Sequence, residues 1–265
     1  MSKLNEYKEF SGKWALVLGS SSGFGEAAVR RLAESGFNIL GVHLDRKAGQ
    51  AQADEIVSYV KSLGRECEFF NVNAADDLKR AEILTQMKSK CEGKIGVLLH
   101  SLAFGALKPF IGEDTLTRAQ VEMTLDVMAN SLVFWAQDLT KSRFWAPHAR
   151  IFAMTSAGSS RVWKSYGAVS AAKASLESYI RQLALELAPL GVTANAILAG
   201  VTDTPALRKI PGNAEMIEVA TKRNPMGRLT SPDDVAKTLV ALSLSHCNFV
   251  TGNTLRIDGG ENIVE

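Results

Sequence analysis

The sequence predicts an α/β fold: a doubly wound, parallel, seven-stranded sheet with helices on both faces. Two observations carry that expectation. Short apolar runs alternate with amphipathic stretches along the 265 residues, the pattern of β–α units whose strands are buried on both sides. The first run, KWALVL, also opens at once onto GSSSGFG, a glycine-bearing turn that leads into an amphipathic segment. A content of 46% hydrophobic and 22% charged residues is ordinary for a chain that buries a large core.

In order, Lys13 to Leu18 reads as the first strand, and Gly19, Gly23 and Gly25 make G-x3-G-x-G behind it. Glycines there permit a tight turn and the close approach of a pyrophosphate, whose charge meets N–H groups at a helix N-terminus. Together with Ser21, Ser22 and Phe24 they form the expected phosphate site. The second strand runs from Phe37 to Leu44, and an acid at its end would hold the ribose hydroxyls of NAD. His43 stands at that place, followed by Asp45, Arg46 and Lys47. Cations suit a 2′-phosphate, so His43, Arg46 and Lys47 favour NADP(H). Asp45, two positions on, is the residue that would turn the preference to NAD(H).

Ala51 to Leu63 has helical periodicity and stops at Gly64, and Glu68 to Val72 is the third strand, followed by Asn73 and Ala74. A helix over Leu78 to Cys91 leads to a fourth strand, Ile95 to Leu99, and then to His100-Ser101-Leu102-Ala103-Phe104. His100 reads as a core histidine without a catalytic role. Asp114 or Thr115 is the expected cap of a long helix from Leu116 to Leu139. Arg150 to Met154 is the fifth strand and delivers Thr155 and Ser156 to a further helix, Tyr166 to Leu187. Thr193 to Leu198 is the sixth strand, and residues 200–228 follow without clean periodicity, which marks a functional segment. Ser231 caps the last helix, and Thr254 to Ile257 is the final strand.

Within the Tyr166 helix the chemistry concentrates. Tyr166 and Lys173 are seven residues apart, two turns on nearly one azimuth. An ammonium beside a phenol lowers its pKa, which suits proton donation to a developing oxyanion.

A Ser/Thr loop after a strand, then Tyr166 and a lysine opening K-A-S-L-E, resembles the short-chain dehydrogenases/reductases over Gly12 to Val264. Most of that family places its tyrosine four residues before the lysine, where this chain has Val169. The Y-x6-K spacing instead resembles the enoyl-[acyl-carrier-protein] reductases, and within them the type III, FabL-like branch. HSLAF is similar to the HS-I-G-F run of the commoner enoyl reductases, whereas ordinary members have N-N-A-G. Met128 replaces the family's mid-helix asparagine, which kinks that helix and holds a water in the proton relay, and Asn130 lies about 200° round the helix from it.

The resemblance implies a Rossmann-like fold and hydride transfer from NADPH to the C=C of a trans-2-enoyl thioester, carried on acyl carrier protein or coenzyme A, in fatty-acid synthesis. It implies Tyr166 as proton donor, Lys173 on the nicotinamide ribose and Ser156 as a further catalytic residue. Asn73, Ala74 and Ser101 would line the cofactor with the glycine turn, and Thr202 would meet its carboxamide or phosphates. Residues 200–228 would be the substrate lid of a single domain spanning 1–265, and the family's usual assembly is a homotetramer. A carbonyl reductase of the same fold is the alternative, and a non-catalytic dinucleotide-binding regulator a more distant one.

A net charge of +2 argues against nucleic acid or an anionic membrane as partner. Three cysteines without a CxxC pair fit a reduced, cytoplasmic setting, and no metal-ligand spacing occurs. MSKLNEYKEFSG lacks the apolar core of a signal peptide, and no run is long enough to span a membrane.

Overall fold

The computed structural model describes residues 7–264; Met1–Glu6 and Glu265, the ends of the expected domain, lie outside the described residues. Among the described residues, seven strands pair in parallel: Trp14–Leu18 (β1), Asn38–His43 (β2), Cys67–Asn71 (β3), Ile95–His100 (β4), Trp145–Met154 (β5), Thr193–Ala199 (β6) and Thr254–Ile257 (β7). Their spatial order is β3-β2-β1-β4-β5-β6-β7, so the winding reverses between β1 and β4. Leu18 and His100 are register partners at that point. Parallel strands put every C-terminal end on one edge, and the reversal opens a crevice there.

The connecting helices are Gly23–Ser35 (α1), Lys47–Ser62 (α2), Asp77–Cys91 (α3), Arg118–Leu125 (α4), Ser131–Lys141 (α5), Gly167–Leu187 (α6), Asn213–Arg223 (α7) and Pro232–Ser243 (α8). Because side chains alternate across a strand, β1 feeds two cores. Trp14, Leu16 and Leu18 pack with Ile83, Trp135 and Leu176 on one face. Ala15 and Val17 pack with Val29, Ile56 and Leu239 on the other. Arg31 of α1 bridges to Asp233 of α8, with Nη2 donating to Oδ2 at 3.0 Å. No helix of the described residues is long and apolar enough to cross a membrane.

Several boundaries differ from expectation for physical reasons. The helix expected from Leu116 starts at Arg118, because Thr117 and Gln120 form a reciprocal capping box that Asp114 and Thr115 do not. It is not continuous to Leu139: Asp126–Asn130 form a π-helical turn around Met128. The helix is thus interrupted without the family's asparagine. Ser131 Oγ donates to the Val127 carbonyl at 2.9 Å and lies 2.9 Å from His100 Nε2, which ties the π turn to the end of β4. β5 starts at Trp145 rather than Arg150, since Trp145 already pairs with Ile95. α6 starts at Gly167, leaving Tyr166 as its N-cap with φ −102° and ψ 3°.

Candidate active site

Gly19 stands at the reversal point, and two features of it require glycine. Its φ is +89°, and a β-carbon there would lie 2.4 Å from the Ser101 carbonyl oxygen. Gly25 is held as tightly: a β-carbon would fall 1.9 Å from the Gly19 carbonyl oxygen. The turn from Gly19 to Gly25 therefore folds on itself and presents α1 end-on to the crevice. Ser22 is the N-cap of α1 and makes no side-chain cap hydrogen bond, so the first N–H groups of α1 have no hydroxyl capping them. Ser21 is half-buried, Phe24 packs into the α1-side core, and Gly23 has φ +56°. A cradle of this shape, emptied by two glycines and ending in helix N–H groups, fits a dinucleotide pyrophosphate.

His43 ends β2 as expected and is 3% exposed. Its Nδ1 lies 2.8 Å from Asp45 Oδ2, so the acid considered as its rival is its partner. The Asp45 side chain also covers Gly49, where a β-carbon would come within 2.7 Å of Oδ1. Arg46 is the N-cap of α2 and Lys47 its first residue, and both are exposed. Asn73 is exposed, with Oδ1 accepting from Ala75 N at 3.0 Å. Ala74 is buried in the core on the Trp135 face of the sheet, and its carbonyl accepts from Trp135 Nε1 at 2.8 Å.

Across the crevice, the Tyr166 hydroxyl lies 3.4 Å from Ser156 Oγ, which itself accepts from Gly158 N at 3.2 Å. Burial raises the phenol's pKa, and the Ser156 hydrogen bond lowers it by less. The sequence-based expectation of a phenol depressed by the Lys173 ammonium is not met. With Tyr166 at the cap rather than in the helix, its partner is Ser156. Lys173 is 4% exposed and donates to the carbonyls of Met154 at 2.8 Å and Leu102 at 3.3 Å. Burial among these neutral acceptors pulls its pKa down to about 7, against a smaller opposing pull from Glu177. Glu177 is itself held by Thr155, whose hydroxyl donates to it at 2.7 Å.

Val169, four residues before Lys173, is 4% exposed. It and Met128 close over Gly105, where a β-carbon would lie 2.8 Å from Val169 Cγ2 and 2.9 Å from Met128 Sδ. Thr202 is 5% exposed and its hydroxyl donates to the Gly200 carbonyl at 2.9 Å. Residues 200–228 contain α7, of which only Ala220 is buried. His100 is fully buried, and burial takes its pKa down to about 3, so the imidazole is neutral and structural.

Two participants escaped the sequence. Thr204 packs its Cβ and Cγ2 3.7 Å from where a Gly23 β-carbon would stand, bringing the segment after β6 onto the glycine turn. Phe110 fills the space beside Gly167, next to Tyr166. Neither follows a period or a motif; Thr204 repeats Thr202 at a spacing of two, and that T-x-T is the only signal. Among the described residues no cluster of three or more His, Cys, Asp or Glu could hold a metal.

A parallel sheet with a glycine cradle at its reversal point, faced by a tyrosine and a buried lysine, defines an oxidoreductase of the α/β class that uses a nicotinamide dinucleotide. The chain belongs to the short-chain dehydrogenases/reductases: residues 19–262 match the family model described as Enoyl-(Acyl carrier protein) reductase. It is similar to the NADH-dependent enoyl-[acyl-carrier-protein] reductase FabI of Aquifex aeolicus, 29% identical over 73% of this chain and 71% of that one. The solved structure of that reductase superposes with a TM-score of 0.83 at 25% identity, covering 96% of this chain and 98% of the other. A hydroxyacyl relative is as near: BbsD of Thauera aromatica, a subunit of (2S)-[(R)-hydroxy(phenyl)methyl]succinyl-CoA dehydrogenase, is 28% identical over 94% of this chain and 96% of its own. A short-chain dehydrogenase of Burkholderia cenocepacia, solved in complex with NADP, superposes with a TM-score of 0.82 at 25% identity over 96% and 99% of the two chains.

Proposed function

We propose that this protein is an NADPH-dependent enoyl-thioester reductase that saturates the C=C of a trans-2-enoyl thioester in fatty-acid synthesis. One observation carries the reading: Tyr166 stands seven residues before the buried Lys173 in the sequence, while the usual tyrosine position holds Val169, packed into the wall over Gly105. The likeness to FabI supports it.

When bound, the reduced nicotinamide supplies hydride to Cβ of the enoyl group. The remaining work belongs to this chain. Tyr166 donates a hydrogen bond to the thioester oxygen as enolate character develops, its raised pKa keeps it protonated for that task, and a proton from water at Cα completes the saturation. Ser156 orients the phenol through the hydrogen bond at 3.4 Å. Lys173 leaves the Met154 and Leu102 carbonyls to hold the nicotinamide ribose hydroxyls. The turn of Gly19, Ser21, Ser22, Gly23, Phe24 and Gly25 holds the pyrophosphate, Asn73 and Ala74 the adenine, and Ser101 and Thr202 the nicotinamide half. His43 engages Asp45, so the acid's charge is partly met within the chain, and Arg46 and Lys47 receive the 2′-phosphate.

The substrate side is apolar. Phe104 is 59% exposed, Phe110 52% and Trp163 42%, all on the loops that flank Tyr166. Such a mouth suits an acyl chain, and residues 200–228 close over it as the lid of a single domain. The acyl group arrives on acyl carrier protein or coenzyme A, in the cytoplasm. α6 leaves Ala171, Ala174, Ser178 and Leu185 exposed, small and apolar residues suited to a mating helix in a homotetramer.

The deciding assay follows loss of NADPH or NADH absorbance with crotonyl and acetoacetyl thioesters. Turnover of crotonyl thioester is expected. The Ser156–Tyr166 hydrogen bond is the observation that favours a carbonyl reductase instead, since a serine and a tyrosine together donate well to a ketone oxygen. Brisk acetoacetyl reduction with none on crotonyl would establish that second reading.

A further inference from the structure

The chain after β7 folds back into a knot of hydrogen bonds. Asp258 is 8% exposed; its Oδ1 accepts from Gly260 N at 3.0 Å, and its backbone carbonyl accepts from Glu261 N at 3.0 Å. From this turn three groups reach three separate parts of the site. Glu261 Oε2 accepts from Val201 N at 2.9 Å, beside Thr202. Asn262 Oδ1 accepts from Arg161 of the loop that leads to Tyr166. The Val264 carbonyl accepts from Arg223, the last residue of α7. The fit at Gly200 is close enough to exclude any side chain, since a β-carbon would stand 2.8 Å from Glu261 Oε2 and 2.5 Å from Thr230 Oγ1.

We propose that residues 258–264 are a clasp, and that Glu261 is a positioning residue that acts on the cofactor through the Gly200–Thr202 turn. This rests on the reading of the crevice as a dinucleotide site. A carboxylate accepting from a backbone N–H makes a charge-assisted bond, stronger than its neutral counterpart. Fixing Val201 N fixes the direction in which Thr202 leaves β6, and thereby the root of the lid. The Arg161 and Arg223 contacts bind two further segments, the loop before Tyr166 and the end of α7, to the same seven residues. Loss of Glu261 therefore loosens the Thr202 turn and the lid together, while the glycine cradle at β1 stays intact.

The test compares Glu261→Ala, Glu261→Gln and the unmutated chain. Glu261→Ala is expected to weaken NADPH binding, read by nucleotide fluorescence, by roughly tenfold, the scale of one charge-assisted hydrogen bond. It is also expected to speed amide exchange over residues 201–223 in the ligand-free protein. Glu261→Gln keeps an acceptor oxygen for Val201 N and should recover both. In steady state the Ala variant should raise KM for the nucleotide more than it lowers kcat. Unchanged affinity and exchange in Glu261→Ala overturns the inference. So does an equal loss in Ala and Gln that tracks a fall in melting temperature, because the residue would then be structural only. Nucleotide binding and exchange do not depend on which thioester is reduced. Failure on crotonyl thioester with these effects intact would sink the reductase reading alone, and an unmutated chain that binds neither NADPH nor NADH sinks both.

Discussion

The Lys173 ammonium donates to the Met154 carbonyl at 2.8 Å from a side chain only 4% exposed, and burial pulls its pKa from 10.5 to about 7. The unfolded chain therefore holds more protons than the folded one between about pH 7 and pH 10.5, and stability rises with pH through that window. Lys173→Met removes the buried amine while keeping its bulk. Melting curves should show it more heat-stable than the parent at about pH 6, with the gap closing by about pH 10. Its turnover should be lost. A variant that melts below the parent at the lower pH contradicts this account.

Tyr166→Phe keeps the ring that fills the space beside Gly158 and removes only the hydroxyl. Crotonyl-thioester reduction should fall by about 10²-fold or more, with nucleotide affinity unchanged. Adding Val169→Tyr should not restore it. Position 169 lies against Gly105 and Met128 inside the wall, so a phenol there has no path to the crevice without repacking. Undiminished turnover by Tyr166→Phe would exclude the phenol as proton donor.

Cofactor preference should rest on Arg46. With Asp45 engaged by His43, the exposed Arg46 guanidinium is the group placed to meet a 2′-phosphate. Arg46→Ala should lose about tenfold or more in kcat/KM with NADPH and little with NADH. Equal or better turnover of the unmutated chain with NADH would assign the ribose to Asp45.

Phe110 sits where a side chain at Gly167 would go: a β-carbon there would be 2.2 Å from its Cε2. The ring is half-exposed, which leaves solvent-side space for it to turn into. Gly167→Ala should change stability by no more than about 1 kcal/mol, because alanine favours the helix that glycine opens. The kcat/KM ratio of long-chain over crotonyl thioesters should shift severalfold. An unchanged ratio would remove Phe110 from the substrate mouth.

What the sequence disclosed depended on how local each signal was. β1, β4 and the Gly19 turn were readable because burial on both faces leaves unbroken apolar runs, and the turn needs glycine at two clashing positions. His43 fell at its expected strand end for the same reason. The Tyr166 environment was misread, since azimuth arguments hold only inside a helix and the helix begins one residue later. The π turn at Asp126–Asn130 was invisible because contacts from His100 and Ser131, distant in sequence from one another, hold it. Thr204, Phe110 and the clasp at Glu261 depend on approaches between loops, which no periodicity encodes.

α7 keeps one residue, Ala220, out of solvent along its eleven. A helix so lightly seated contributes little to the cooperative unfolding of the sheet and its two cores. Its outward residues are thus free to vary without endangering folding, and it lies within the segment proposed above as the lid. New acyl preferences would be expected to arise there first, by exchange of a short cassette between residues 213 and 223, leaving the hydride-transfer machinery untouched.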